Sequence, residues 1–223
     1  MSRTFFVTGT DTEVGKTAVS CALLKAAAAK GMTTAAVKPV AAGCDAEGQN
    51  DDALQLIEAM TESMAYMQVN PVALQEAIAP HIAAEHEGRS LQASRLAGLC
   101  RGVMSGGADF VLVEGAGGWR VPINNRETLA DVARDLQAPV ILVVGMRLGC
   151  INHALLTAEA ILGDRLPLAG WVANRVEPQM ACYEENLATL KRLLRAPCLG
   201  EIPHIAPWCA DSAAKSVDIG GIV

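Results

Sequence analysis

The stretch that most constrains the fold is GTDTEVGKT, Gly9 to Thr17, where strand, glycine turn, lysine and hydroxyl follow one another in chemically meaningful order. Upstream, TFFVT (Thr4–Thr8) is β-branched and aromatic, as a buried parallel strand should be; downstream, Ala18–Lys30 is rich in alanine and leucine and predicts a helix. A strand that stops at a glycine-bearing loop feeding a helix aims several backbone N–H groups and the positive helix end at one spot. Such a spot suits a polyanionic phosphate chain. Lys16 is placed to reach the outer phosphates, and Thr17 offers the hydroxyl that such loops give to Mg²⁺. The spacing is a variant of the usual P-loop: the glycine expected five positions before the GKT glycine is Thr10 here, with Gly9 one residue earlier.

A chain of 223 residues suits one sizeable α/β domain, and 51% apolar against 19% charged residues leaves ample material for a two-sided sheet. The formal net charge of −6 argues against a nucleic-acid or anionic-membrane surface and leaves a small molecule as the expected partner. The longest apolar runs, such as Ala138–Met146, are too short to span a bilayer, and Met-Ser-Arg leads straight into the first strand without an apolar signal core. The expected location is cytoplasmic. Seven cysteines, none in a CxxC pair, read as reduced small side chains, and His81 and His86, five apart, do not align on one helix face for zinc.

Along the chain, Thr33–Val40 predicts a second strand that carries Lys38 and ends at Pro39. That places Lys38 on the ligand edge of a doubly wound sheet, where it either acts on a ligand or snorkels to solvent. Asp51–Met60 reads as a helix capped by Asn50 or Asp51, leaving Asp52 free for other work. Tyr66–His86 has mixed patterning and reads as a connecting excursion with a short helix after Pro71. Ser90 is expected to cap a helix through Met104. Asp109–Val113 is a buried-strand run that delivers Glu114 to a glycine-rich segment, the pattern of an acidic group brought to a metal beside a phosphate loop. Thr128–Gln137 reads as a helix, Pro139–Val144 as a strand and Asn152–Leu162 as a helix whose amino end makes a second potential anion site. Leu168–Ala173 is a strand delivering Asn174, whose amide either matches adenine or caps a turn. Ala181–Arg195 reads as a helix and Cys198–Ile202 as a last short strand. The alternation predicts an α/β fold of the P-loop NTPase kind, a mostly parallel sheet with helices on both faces.

Taken together, GTDTEVGKT, KPVAAG, NDDAL, VEGAGGW, VVGMRLGCINHALLTA, GWVAN and GEIP resemble the dethiobiotin synthetases over essentially the whole chain. The resemblance implies a single-domain P-loop ligase, working as a homodimer with substrate across the interface, that joins CO₂ to 7,8-diaminononanoate with ATP and Mg²⁺. One amine becomes a carbamate, its oxygen attacks the γ-phosphate, and the second amine closes the ureido ring. Carried over residue by residue, Lys16 stabilises the transferring phosphate, Lys38 is the catalytic lysine and Thr12 contacts the γ-phosphate region. Thr17, Asp52 and Glu114 hold Mg²⁺. Glu13, Val14, Gly15, Gly115, Ala116 and Gly117 line the nucleotide side, while Asn174, Arg175, Pro203, His204 and Ile205 frame adenine. Gly149, Cys150 and Asn152 take the substrate carboxylate from the other subunit.

One departure stands out: relatives commonly carry serine or threonine where this chain has Ala42, so one hydrogen bond to the carbamate is missing or supplied by water. The family tyrosine that helps hold the carboxylate has no certain counterpart; Tyr183 is near, but the spacing points to Asn186. The alternatives are a paralogous ligase for another diamine and a partitioning-type nucleotide-switch ATPase. Asp11, standing where the latter carries a signature lysine, counts against that second alternative.

Overall fold

The computed structural model describes residues 3–223 of the chain. From the amino end the elements are β1 (Arg3–Gly9), α1 (Lys16–Ala29), β2 (Thr34–Val37), β3 (Ala41–Ala42), α2 (Asp51–Ala59), α3 (Tyr66–Val69), β4 (Ala73–Leu74), α4 (Pro80–His86) and α5 (Ala93–Met104). There follow β5 (Phe110–Gly118), α6 (Leu129–Leu136), β6 (Val140–Gly145), α7 (Cys150–Gly163), β7 (Leu168–Asn174), α8 (Tyr183–Leu193), β8 (Cys198–Ile202) and α9 (Ala210–Ala214). Six strands form one sheet in the order β2-β5-β1-β6-β7-β8, every neighbouring pair parallel. β3 and β4 form a separate two-stranded parallel pair.

The period-two alternation of a strand sorts the core. Phe5 and Val7 pack with Val19, Leu23, Leu56 and Ala213 of α1, α2 and α9 on one face. Phe6, between them, joins Leu96 and Ala133 of α5 and α6 on the other. Further along, Leu142, Val144 and Trp171 pack with Ala154 and Leu187 of α7 and α8. Burial on both faces is what the near-continuous apolar runs of β1, β5 and β6 require. Among the described residues no helix is long and apolar enough to cross a membrane.

Four local expectations shift. β2 ends at Val37, so Lys38 leaves the sheet and its N–H donates to the Val69 carbonyl instead of a strand partner. The excursion carries two short helices where one was expected: α4 follows Pro71 and β4 and opens on Pro80, where a missing N–H costs nothing, while α3 lies before Pro71. α5 starts at Ala93 and not after Ser90, because Leu91 is buried and the Ala93 N–H is accepted by Glu127, a distant carboxylate that local reading could not supply. α7 begins two residues early, at Cys150, with Gly149 at φ 95° as its cap.

Candidate active site

The carboxyl ends of the strands converge in register. Gly9 pairs with Gly118 on one side and Val143 on the other, while Gly145, Asn174 and Ile202 lie side by side across β6, β7 and β8. At this edge the loop after β1 turns into α1 at Gly15, whose φ of 79° favours glycine. A side chain there would also collide with the Asn174 amide. Val14 is a wedge: Cβ atoms on Gly9 or Gly145 would meet its buried side chain at 2.6 and 2.7 Å.

A cavity of about 770 Å³ opens in front of this loop, within the usual size of small-molecule sites. Thr12, Glu13, Gly15, Lys16, Thr17, Lys38, Asp52, Ala116 and Gly117 line it, which brings together most of the residues expected on phosphate and metal. Sequence reasoning missed its opposite wall, Ala77 to Pro80, together with Gln55 and Val121. No motif marks that wall, since Ala77–Ala79 is an irregular link between β4 and α4.

Beneath the cavity lies a charged cluster. Lys38 Nζ is 2.7 Å from Asp52 Oδ2 and 2.8 Å from Glu114 Oε1, and the same Glu114 oxygen accepts the Thr17 hydroxyl at 2.7 Å. The side chains of Lys38 and Glu114 are 4% and 0% exposed, against 43% for Asp52. Burial pulls the Lys38 ammonium down, but the Glu114 and Asp52 carboxylates and their hydrogen bonds outweigh it and hold its pKa above the ordinary lysine value. Asp52 moves the other way: burial raises it, and Lys38, the Thr17 hydroxyl and Lys16 together hold it below the usual aspartate range. Lys16 is different. Burial dominates, with Lys38 adding to it, so its pKa lies below that of an ordinary lysine despite nearby Glu114, Asp52 and Asp11. A buried ion pair of this kind adds little net stability.

Glu114 Oε2 is fully buried and has no hydrogen-bond partner among the described residues. An orphaned carboxylate oxygen beside the Thr17 hydroxyl and the Asp52 carboxylate makes a set of hard oxygen donors that fits Mg²⁺. Next along β5, Gly117 at φ 62° lets the backbone close on Val121 and the Thr12 hydroxyl, a contact that a Cβ would block at 2.7 Å from Val121. Gly115 packs against the Phe6 ring, itself edge-on to Trp119 at 5.9 Å.

The remaining expected residues lie elsewhere on the same edge or beyond it. Asn174 donates to the Val14 carbonyl at 2.9 Å, so it braces the phosphate loop. Arg175 lies over the Tyr183 ring at 3.9 Å, and Pro203, His204 and Ile205 follow directly from β8. Cys150 is buried among the α7–α8 core residues, and its N–H donates to the Arg147 carbonyl, so neither group is free for a ligand; Gly149 and Asn152 are exposed. Tyr183 is buried, and the Asn186 amide donates to the Cys182 carbonyl. Arg147, outside the expected set, has its guanidinium 2.6 Å from Asp11 and ties the α7 entrance to the phosphate loop.

A family model described as an AAA domain matches residues 3–210. ATP-dependent dethiobiotin synthetase BioD of Pseudomonas paraeruginosa is 57% identical over 218 residues, 96% of each chain, and that of Cellvibrio japonicus is 57% identical over 97% of this chain and 96% of its own. The chain belongs to the dethiobiotin synthetase family. A family member from Tolumonas auensis is 50% identical over the full length of both chains. Solved structures add the fold alone. A ParA family ATPase from Chlorobium tepidum superposes with a TM-score of 0.56 at 14% identity, covering 96% of this chain and 90% of that one. FtsY from Thermotoga maritima gives 0.56 at 15% identity, covering 95% of this chain and 64% of that one. The expected P-loop NTPase-like parallel architecture is therefore the one observed.

Proposed function

We propose that the cluster of Lys16, Lys38, Asp52 and Glu114 carries out carboxylation and ring closure of 7,8-diaminononanoate at this cavity, using ATP and Mg²⁺. Family membership makes the chain an ATP-dependent ligase of biotin biosynthesis that closes carbon–nitrogen bonds. The observation that carries the residue-level reading is Lys38: a buried ammonium, fixed by two carboxylates, on the floor of a cavity whose other wall is the phosphate loop.

Each residue then has a task. The loop N–H groups and Lys16 hold the triphosphate, and Lys38 offers its charge to oxygens that gain negative charge as the carbamate is phosphorylated. Ring closure is intramolecular, so positioning supplies much of the remaining rate. Thr17, Asp52 and Glu114 would hold Mg²⁺, which when bound neutralises charge on the phosphoryl oxygens. Asn174, Arg175 and the Pro203–Ile205 segment frame adenine from the far end of the edge.

The substrate carboxylate goes to Gly149 and Asn152 of a second subunit. Support for a homodimer comes from α7, where Asn152 shares a face with Leu156, 57% exposed, and follows Leu148, 95% exposed. The cavity wall at Ala42 keeps a second reading open, a ligase for a related diamine. ADP release tests both. With ATP and Mg²⁺ supplied and diaminononanoate and bicarbonate as the only other substrates, ADP should appear in step with dethiobiotin; faster release with another diamine would transfer the assignment to the paralogue.

A further inference from the structure

Lys38 lies outside the sheet, one residue past the end of β2, so its backbone needs other anchors. They come from the excursion that carries α3. The Lys38 N–H donates to the Val69 carbonyl at 2.7 Å, and the Lys38 carbonyl accepts from Asn70 Nδ2 at 2.7 Å. Asn70 has no exposed surface, and its Oδ1 accepts from the Tyr66 hydroxyl at 2.9 Å. The Tyr66 oxygen in turn accepts the Asn50 N–H at 2.8 Å, and Asn50 is the residue from which α2 starts. α2 presents Asp52, which returns to Lys38 Nζ at 2.7 Å. The path is closed: Lys38 backbone, Asn70, Tyr66, Asn50, Asp52, Lys38 ammonium.

We propose that Asn70 and Tyr66 are positioning residues for the reaction, a two-side-chain clamp that sets the Lys38 backbone and the α2 amino end in one register, so that ammonium and carboxylate meet at the cavity floor. The proposal rests on Lys38 being the catalytic lysine. Several features suit the task. Both Asn70 amide hydrogens are used, on the Lys38 carbonyl and on the Val72 carbonyl at 3.3 Å, so the amide is oriented as well as anchored. Asn50 does not cap its own helix by a side-chain hydrogen bond; its amide reaches instead to the Ala42 carbonyl at 3.3 Å, tying the cavity wall into the same network. The Asn70 and Tyr66 links are paired, whereas Asn50 Oδ1 is buried without a partner among the described residues, and removing one link of a buried polar network loosens the rest. Lys38 has a long flexible stem, and a fixed backbone is the means by which its ammonium recurs at one place.

The clamp touches Lys38 and α2 and not the nucleotide loop, so the effects on turnover and on ATP affinity should separate when ATP binding is measured without metal, since α2 also carries Asp52. Displacing a reacting group by about 1 Å can cost about 10²-fold, so Asn70→Ala is expected to lower kcat about 10- to 100-fold while the calorimetric Kd for ATP stays within about threefold. Tyr66→Phe deletes only the hydroxyl and should lower kcat about three- to tenfold with the same unchanged Kd. The double variant should be no slower than Asn70→Ala, because both links belong to one path. If Asn70→Ala does not fold, Tyr66→Phe decides alone. A kcat within twofold of wild type in folded Tyr66→Phe, or ATP affinity falling in parallel with kcat, overturns the clamp. Lys38→Ala run alongside separates the two ideas: retained turnover there sinks the role of Lys38 itself, whereas loss of turnover with inert clamp variants sinks only the clamp.

Discussion

Glu114 Oε1 receives hydrogen bonds from both Lys38 and Thr17, at 2.8 and 2.7 Å, so one fully buried oxygen joins the candidate catalytic lysine to the first turn of the phosphate-loop helix. Removing Lys38 takes away the main charge balancing that carboxylate. Lys38→Ala is expected to abolish turnover yet leave ATP binding measurable, since Lys16 and the loop amides remain. It should also destabilise the metal-free protein by about 3 to 5 kcal/mol, as an uncompensated buried charge does. Steady-state ADP release, ATP titration and denaturant melts check this; turnover within a few-fold of wild type would reduce Lys38 to a structural ion-pair partner.

Ala42 lines the cavity, at a position where the family resemblance leads one to expect serine or threonine. Ala42→Ser should be accepted and should leave unchanged, or tighten, the KM for diaminononanoate, because one hydrogen bond to a charged group is worth about 1.5 to 3 kcal/mol at best. A large loss of activity on this substrate would indicate a pocket shaped for another diamine.

Lys16 gives a pH signature. Burial, reinforced by Lys38, lowers its pKa in the free protein, whereas a triphosphate beside it favours the ammonium. ATP affinity should therefore be full below the free-protein value and fall as pH rises through it, with proton uptake on binding between that value and the ordinary lysine value. For the ligand-free fold the sign is opposite. The unfolded chain holds the Lys16 proton to higher pH, so this group's contribution to stability increases between the folded value and the ordinary lysine value. Calorimetry of metal-free ATP in buffers of different ionisation enthalpy reads the uptake, and Lys16→Met should erase it.

The shared-interface reading predicts complementation. Lys38→Ala and Asn152→Glu are each expected to be inactive or crippled, and mixing them should produce heterodimers with one composite site that is native in both halves. Activity should then recover to about half that of a wild-type dimer, in proportion to the heterodimer fraction. Heterodimers seen by native mass spectrometry without any recovered activity would place Lys38 and Asn152 of one chain in the same site.

The strand, glycine turn and helix at the amino end were legible in the sequence because their neighbours in space are also neighbours in the chain. Residue type and local period alone specify such a unit. The same logic located Lys38, Asp52 and Glu114 one at a time, each at the end of an apolar run or beside a helix cap. What local pattern could not contain is their meeting, which depends on β5 lying between β1 and β2, so that Glu114 faces both Lys38 and Thr17. The excursion after α2 was opaque for a related reason: its elements are four, two and seven residues long, too short for a helical or strand period to be read, and the first two are held by contacts with Lys38, Ala41 and Asn50. Tertiary structure likewise decided that Val14 is a core wedge, that Asn174 braces the loop and that a distant Glu127 starts α5. In each of these cases a buried polar group or a close backbone approach is satisfied from far along the chain, and sequence order carries no record of that distance.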